Sequence, residues 1–325
     1  MWALRSRSRL TPLLRKRHCG GLFAEFVVAD GLKPTLAELV ALRAVGQRRP
    51  PARKGRHNVT GPAQSSARGR GMEYAESREY VAGDDVRHID WRLTARSGRT
   101  HTKLFQAERE RLTLIVADTS PALYFGTRVR FKSVQAARAA AVAVWAAVRD
   151  GDRVAILRGS RQDAPVPPAS GARGALRVLD ALVRWYSAPP YDDAGLPAAL
   201  DSAARLLRPG SRLIVLADAR SIAAIPESRW PALAAHHEVV VLLLTDALEV
   251  EPPAKKLPFS IDGERVELDL ANHTQLQRWQ DEFMQPLTRA LESLPRRGVR
   301  VFSLQADAPS ESWLPLLGRA QSQVA

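Results

Sequence analysis

Residues 112–122 read LTLIVADTSPA, a short apolar run that stops at an acid, two hydroxyls and a proline. Six residues rich in Leu, Ile and Val without polar alternation suit a strand buried on both faces, as in a parallel sheet. Downstream the pattern repeats. Val154–Leu157, Leu213–Ala217, Val239–Leu244 and 299–304 read as further apolar strands. Between them lie helical segments at Phe131–Val148, 172–187, 196–208, 230–237 and 274–294, with Pro209-Gly210 closing the third of these. Strands alternating with helices define an α/β fold: a doubly wound, mainly parallel sheet with helices on both faces. In such sheets ligands bind at the carboxyl ends of the strands. Asp118 ends the first strand and Asp218 the third, so these acids are either a binding site or helix-capping residues.

Upstream the character changes. Lys plus Arg number 48 against 34 Asp plus Glu, a net charge of +14. Residues 1–60 hold 13 of the bases and 3 of the acids, so +10 of the excess belongs to an N-terminal arm. Its two clusters, Arg5 to Arg17 and Arg48 to Arg56, could bind nucleic acid or an anionic membrane surface. Aromatics are not interleaved as base stacking requires, which favours a solubilising tail. Thr35-x-x-Glu38 is a capping-box pattern that starts a short amphipathic helix over 35–46. Residues 47–72, rich in Arg, Pro, Gly and Ser, form a linker. Cys19 is the only cysteine, which excludes an internal disulfide and suits a reducing compartment. No apolar run approaches the roughly 18 residues of a membrane helix. The expected location is cytoplasmic or membrane-peripheral.

Between arm and sheet, residues 73–103 read EYAESREYVAGDDVRHIDWRLTARSGRTHTK. Asp84, Asp85, His88 and Asp90 are the residues a metal-dependent hydrolase would use. Arg78, Arg87, Arg92 and Arg96 lie close enough in sequence to pair with every one of these acids, which favours a structural or docking segment. Trp91 then serves as an anchor onto the neighbouring domain, or as a hot spot for a partner. The chain shows neither a phosphate-binding Gly-x-x-x-x-Gly-Lys-Ser/Thr loop nor a Gly-x-Ser-x-Gly nucleophile elbow.

Arg78-Glu79-Tyr80, Gly83-Asp84-Asp85, Arg87, Ile89-Asp90-Trp91, Ala95-Arg96 and Lys103, followed by a strand ending in Asp-x-Ser, resemble the signature of the bacterial domain-of-unknown-function 58 family. The resemblance covers about residues 70–310. It implies a von Willebrand factor A-like domain over 112–310, preceded by the basic arm (1–70) and a small, charged, β-rich segment (71–111), and followed by a tail (311–325). Such a domain carries a metal-ion-dependent adhesion site. Asp118, Ser120 and Asp218 fall on three of its ligand positions, and Mg²⁺ is the cofactor they would hold. Ala122 falls on another and offers no oxygen. A threonine position falls on Ala194, beside Asp192 and Asp193, so the site is degenerate. Family members are often encoded beside MoxR-type AAA+ ATPases and other von Willebrand A proteins. The resemblance therefore implies a non-enzymatic adaptor working with such an ATPase on a client complex. Many members carry two N-terminal membrane helices; this chain resembles the soluble branch.

Overall fold

The structure, a computed structural model, describes residues 31–47, 72–107, 111–160, 163–188, 195–261 and 264–317. Most of the basic arm with Cys19, most of the linker, Asp192, Asp193 and Ala194, and residues 318–325 lie outside the described residues. The chain divides into two units, residues 56–110 and the remainder.

In the larger unit the first elements are α1 (Leu36–Ala41) and α2 (Arg43–Gln47). The capping box predicted here is half realised. Thr35 Oγ1 accepts from the Glu38 amide, but the Glu38 carboxylate pairs with Arg138 and does not reach back to Thr35. A cross-chain guanidinium is a stronger partner than one exposed amide.

The smaller unit pairs β1 (Met72–Glu79) antiparallel with β2 (His101–Ala107) around α3 (Trp91–Ser97). Asp90 caps α3 by accepting from the Leu93 amide at 3.1 Å. Gly98 closes it at φ 71°, a conformation that needs no Cβ.

The larger unit continues with β3 (Leu112–Ala117), α4 (Lys132–Arg149), β4 (Arg153–Arg158), β5 (Val166–Ala169), α5 (Gly171–Trp185), α6 (Gly195–Leu206), β6 (Arg212–Ala217), α7 (Ala219–Ala223), α8 (Arg229–Ala234) and β7 (Glu238–Thr245). Then follow α9 (Ala247–Val250), β8 (Lys256–Ile261), β9 (Glu264–Asp269), α10 (His273–Trp279), α11 (Gln285–Ser293) and β10 (Arg300–Gln305). A six-stranded sheet runs β10-β7-β6-β3-β4-β5, parallel except for the short edge strand β5. The mainly parallel α/β architecture read from the sequence is therefore present. Side chains alternate strictly between faces. Ile115, Ile156, Ile214 and Val240 meet α1, α4 and α5; Leu114, Leu157, Val215 and Val241 meet α6, α7, α8 and α11. Both faces are apolar because both are covered.

Three boundaries move. Trp313, Leu314 and Leu317 are buried in the core, so the domain runs past residue 310. Leu39 and Leu42 of the expected arm also belong to that core. The helix expected over 274–294 is α10 and α11 joined by a π-helical turn at Gln280–Met284. The β8–β9 hairpin and α9 were not anticipated: they interrupt the stretch between β7 and α10 without long periodic runs.

The order of strands reverses between β3 and β6. From β3 the chain winds outward to β4 and β5, then returns to place β6 on the other side of β3. Loops leaving the carboxyl ends of β3 and β6 diverge to opposite faces and leave a crevice between them.

Candidate functional site

That reversal brings Asp118 and Asp218, one hundred residues apart, to adjacent strand ends. Asp118 accepts from the Ser120 amide at 2.8 Å, the Ser120 hydroxyl at 3.2 Å and the Asp218 amide at 3.3 Å. Ser221 donates to Ser120 Oγ at 3.4 Å. Asp218 caps α7, accepting from the Arg220 amide at 2.9 Å and from Arg220 Nε at 3.2 Å. Sequence reading placed Asp118, Ser120 and Asp218 at one site, and the structure brings all three together.

What the sequence reading missed is the cation that pairs with Asp218. Lys132, the first residue of α4, is 0% exposed. Its Nζ lies 2.6 Å from Asp218 Oδ2 and 2.6 Å from Glu249 Oε1. Glu249 belongs to α9, where it also closes a capping box on Asp246. Asp246 in turn accepts from the Thr127 amide and hydroxyl at 2.9 and 2.6 Å, pinning the loop that leads into α4. Gly126 lies in that loop, where a Cβ would sit 2.4 Å from the Arg130 carbonyl oxygen. Two signals were available in the sequence. Asp246-Ala-Leu-Glu249 is a capping-box spacing directly after a strand. A lysine opening an apolar helix opposes the helix dipole and therefore needs an anionic partner.

The charges settle accordingly. Burial pushes the Asp218 carboxyl up, but Lys132 and Arg220 outweigh it and hold it at about 2. Burial likewise opposes the Lys132 ammonium, yet Asp218 and Glu249 raise its pKa above the ordinary lysine value. Glu249 and Asp118 are both shifted upward by burial, against their hydrogen bonds. Asp218's stabilising contribution is thus complete above its ordinary value of 3.8 and is lost as pH falls through about 2. Nearly two units correspond to about 2 kcal/mol. Between about pH 5 and pH 2, wild-type protein should lose about 2 kcal/mol more of its urea-unfolding free energy than Asp218→Asn. Equal slopes would show that Asp218 carries no such linkage.

These residues do not fit a divalent cation. Each carboxylate oxygen of Asp118, Asp218 and Glu249 already accepts a hydrogen bond. No cluster of three or more His, Cys, Asp or Glu suited to a metal occurs among the described residues.

In the smaller unit the signature acids are turn and cap partners. Asp84 accepts from the Val81 amide at 3.0 Å and pairs with Arg78 at 2.7 Å; those two contacts, the amide first, lower its pKa. The Tyr80 hydroxyl donates to the Asp84 carbonyl at 3.3 Å, and Gly83 supplies the turn at φ 109°. Asp85 caps the turn holding Arg87 and His88. Asp90 also accepts from Ser77 at 3.0 Å, and Lys103 adds a favourable charge. Glu79 pairs with Arg99 at 2.7 Å. Tyr80 thus fastens the turn. Trp91, expected as an anchor onto the neighbouring domain or a hot spot for a partner, is 69% exposed; Val86 at 61% and Val81 at 60% are exposed in the same segment. The indole sits at the first position of α3, where the cap fixes the backbone and leaves the side chain outward. Arg92 and Arg96 are exposed on that helix.

Fold and site define a doubly wound α/β protein in which one strand-end carboxylate, Asp218, is neutralised by the chain's own lysine and arginine and the other, Asp118, is hydrogen-bonded to Ser120. The family described as "Protein of unknown function DUF58" matches residues 76–319, and the chain belongs to that family. It is 32% identical over 190 residues to "Uncharacterized protein Mb1516" of Mycobacterium bovis and, equally, to "Uncharacterized protein Rv1480" of Mycobacterium tuberculosis. Each match covers 57% of this chain and 58% of the relative. The crystal structure of the conserved hypothetical protein BatB from Bacteroides thetaiotaomicron aligns over 63% of this chain and 95% of its own, at 15% identity and a TM-score of 0.41. No helix among the described residues is long and apolar enough to cross a membrane.

Proposed function

We propose that this chain is a non-enzymatic protein-interaction module, von Willebrand factor A-like in type. It acts as an adaptor beside a MoxR-type AAA+ ATPase in the assembly or maturation of a client complex, in the cytoplasm or at a membrane surface. One observation carries the reading: Trp91 stands 69% exposed on the family-signature segment. Exposing an indole is unfavourable unless something covers it, and Trp with Arg is the pairing that dominates binding hot spots. Val81 and Val86 of the same segment are exposed as well, and so are Arg87, Arg92 and Arg96. The neighbouring acids Asp84, Asp85 and Asp90 are committed to turns and caps. The segment thus offers exposed apolar side chains and guanidinium groups, suited to an acidic partner face with an apolar centre. The strand-end acids are supporting structure in this reading, because they are buried and paired inward.

The full chain should capture an AAA+ ATPase in a pull-down. Trp91→Ala should weaken that capture by about 30-fold, the cost of truncating a hot spot of about 2 kcal/mol. Wild-type protein that captures no ATPase in any nucleotide state, or Trp91→Ala that binds as wild type, would defeat the reading.

A further inference from the structure

The strand-end crevice gathers oxygen groups: two aspartates on adjacent strand ends, Ser120 and Ser221, and a glutamate from a third loop. We propose that the Lys132 ammonium is a built-in replacement for a divalent cation at this site, so that this face of the protein works without metal.

Four independent features support the assignment. The ammonium reaches carboxylates of two separate loops, at 2.6 Å each, which is the bridging role a cation plays between loops. Arg220 adds a second positive group on Asp218, at 3.2 Å. Asp218 and Glu249 thus face two cations, which removes most of the charge that would draw a divalent ion from water. Lys132 is held by the backbone: its amide donates to the Phe125 carbonyl at 2.8 Å, and the preceding loop is pinned through Thr127 to Asp246. The helix start that carries the side chain is therefore fixed in place. Finally, the charge is fully enclosed. A buried ammonium is tolerated only where partners satisfy it, so the acids and the lysine are each required by the other. Any partner of this face is then held without a metal bridge, whatever partner the rest of the chain engages.

The test uses the full-length chain, stripped with EDTA, and Mn²⁺ or Mg²⁺ as the probe. Wild-type protein should show no Mn²⁺ uptake by electron paramagnetic resonance that Asp218→Asn abolishes, and no Mg²⁺-dependent rise in melting temperature. Lys132→Ala should gain a Mn²⁺ site. At a hundredfold excess over its dissociation constant, the ion should raise that variant's midpoint by roughly 5–10 °C. If Lys132→Ala does not fold, a triple variant separates charge from packing. Lys132→Met with Asp218→Asn and Glu249→Gln removes all three charges at similar volume, and should recover a cooperative transition without taking up Mn²⁺. The proposal is overturned by Asp218-dependent Mn²⁺ uptake in wild type, by a folded Lys132→Ala that takes up none, or by a triple variant that stays unfolded when the single variant does.

Discussion

Arg212→Met is expected to destabilise the larger unit by about 3 kcal/mol, the low end of what removing one partner of a buried ion pair costs. Arg212 opens β6 with its side chain 2% exposed. Its Nε lies 2.9 Å from Glu238 Oε2, and a terminal nitrogen lies 3.8 Å from Asp152 Oδ2. The same two acids are shared with Arg111, at 3.1 Å to Asp152 and 3.3 Å to Glu238, and with Arg300, at 2.7 Å to Glu238. Thr113 also donates to Asp152 at 2.8 Å. The network sits at the amino ends of the strands, opposite the Lys132 site. Burial alone would raise both acids. It does raise Asp152, whereas at Glu238 the arginines, led by Arg212, win and lower the pKa. Methionine keeps the length and apolar volume but leaves Asp152 and Glu238 in the same low-dielectric place with one guanidinium fewer. Because the remaining two arginines still serve them, the cost stays near the lower bound. Glu238's contribution is complete above its ordinary value of 4.5 and is lost as pH falls through its depressed folded value. Urea unfolding should therefore show a smaller acid-side loss of stability in the variant than in wild type. A cost below about 1 kcal/mol would mean that Arg111 and Arg300 replace Arg212 fully.

Trp145→Ala should cost about 4 kcal/mol, from lost burial and the cavity left behind. The indole, buried in α4, is the post on which α1 and α2 are mounted. Its Nε1 donates to the Leu39 carbonyl at 3.0 Å, and the Arg43 guanidinium stacks 5.5 Å from the ring centroid. Gly46 packs so closely that a Cβ there would lie 2.7 Å from the Trp145 Cβ. Alanine removes the indole hydrogen bond and the stacked ring and keeps only the Cβ against Gly46, so residues 36–47 should lose hydrogen-exchange protection by tenfold or more, ahead of the sheet. Trp145→Phe should keep most of the packing and lose about 1 kcal/mol through the unsatisfied Leu39 carbonyl. Unchanged exchange at 36–47 in the alanine variant would show that the two helices are held by other contacts.

The strands were legible because burial on two faces writes continuous Leu, Ile and Val into β3, β6 and β7, and no neighbour in sequence is needed to read that. The edge strand β5 was not legible: Val166-Pro-Pro-Ala169 looks like a loop, and Pro is tolerated there only because the strand pairs on one side. Asp118, Ser120 and Asp218 were found by their place after strands. Lys132 and Glu249 were not, because their meaning lies in partners 86 and 117 residues away. Trp91 was read as an anchor onto the neighbouring domain or as a hot spot for a partner. The cap at Asp90 orients it outward, and that is a matter of local backbone geometry.

The sequence by itself determined the α/β class, the apolar strands and their helices, and which acids would end them. All of these follow from local hydrophobic periodicity and turn chemistry, which act over a few residues. Only the tertiary structure decided which strands are neighbours, that the order reverses between β3 and β6, and that a lysine from the start of α4 closes the carboxylate site. Those outcomes depend on which distant groups can satisfy one another once water is excluded, and a buried ammonium has no preference that its own neighbours in sequence can express.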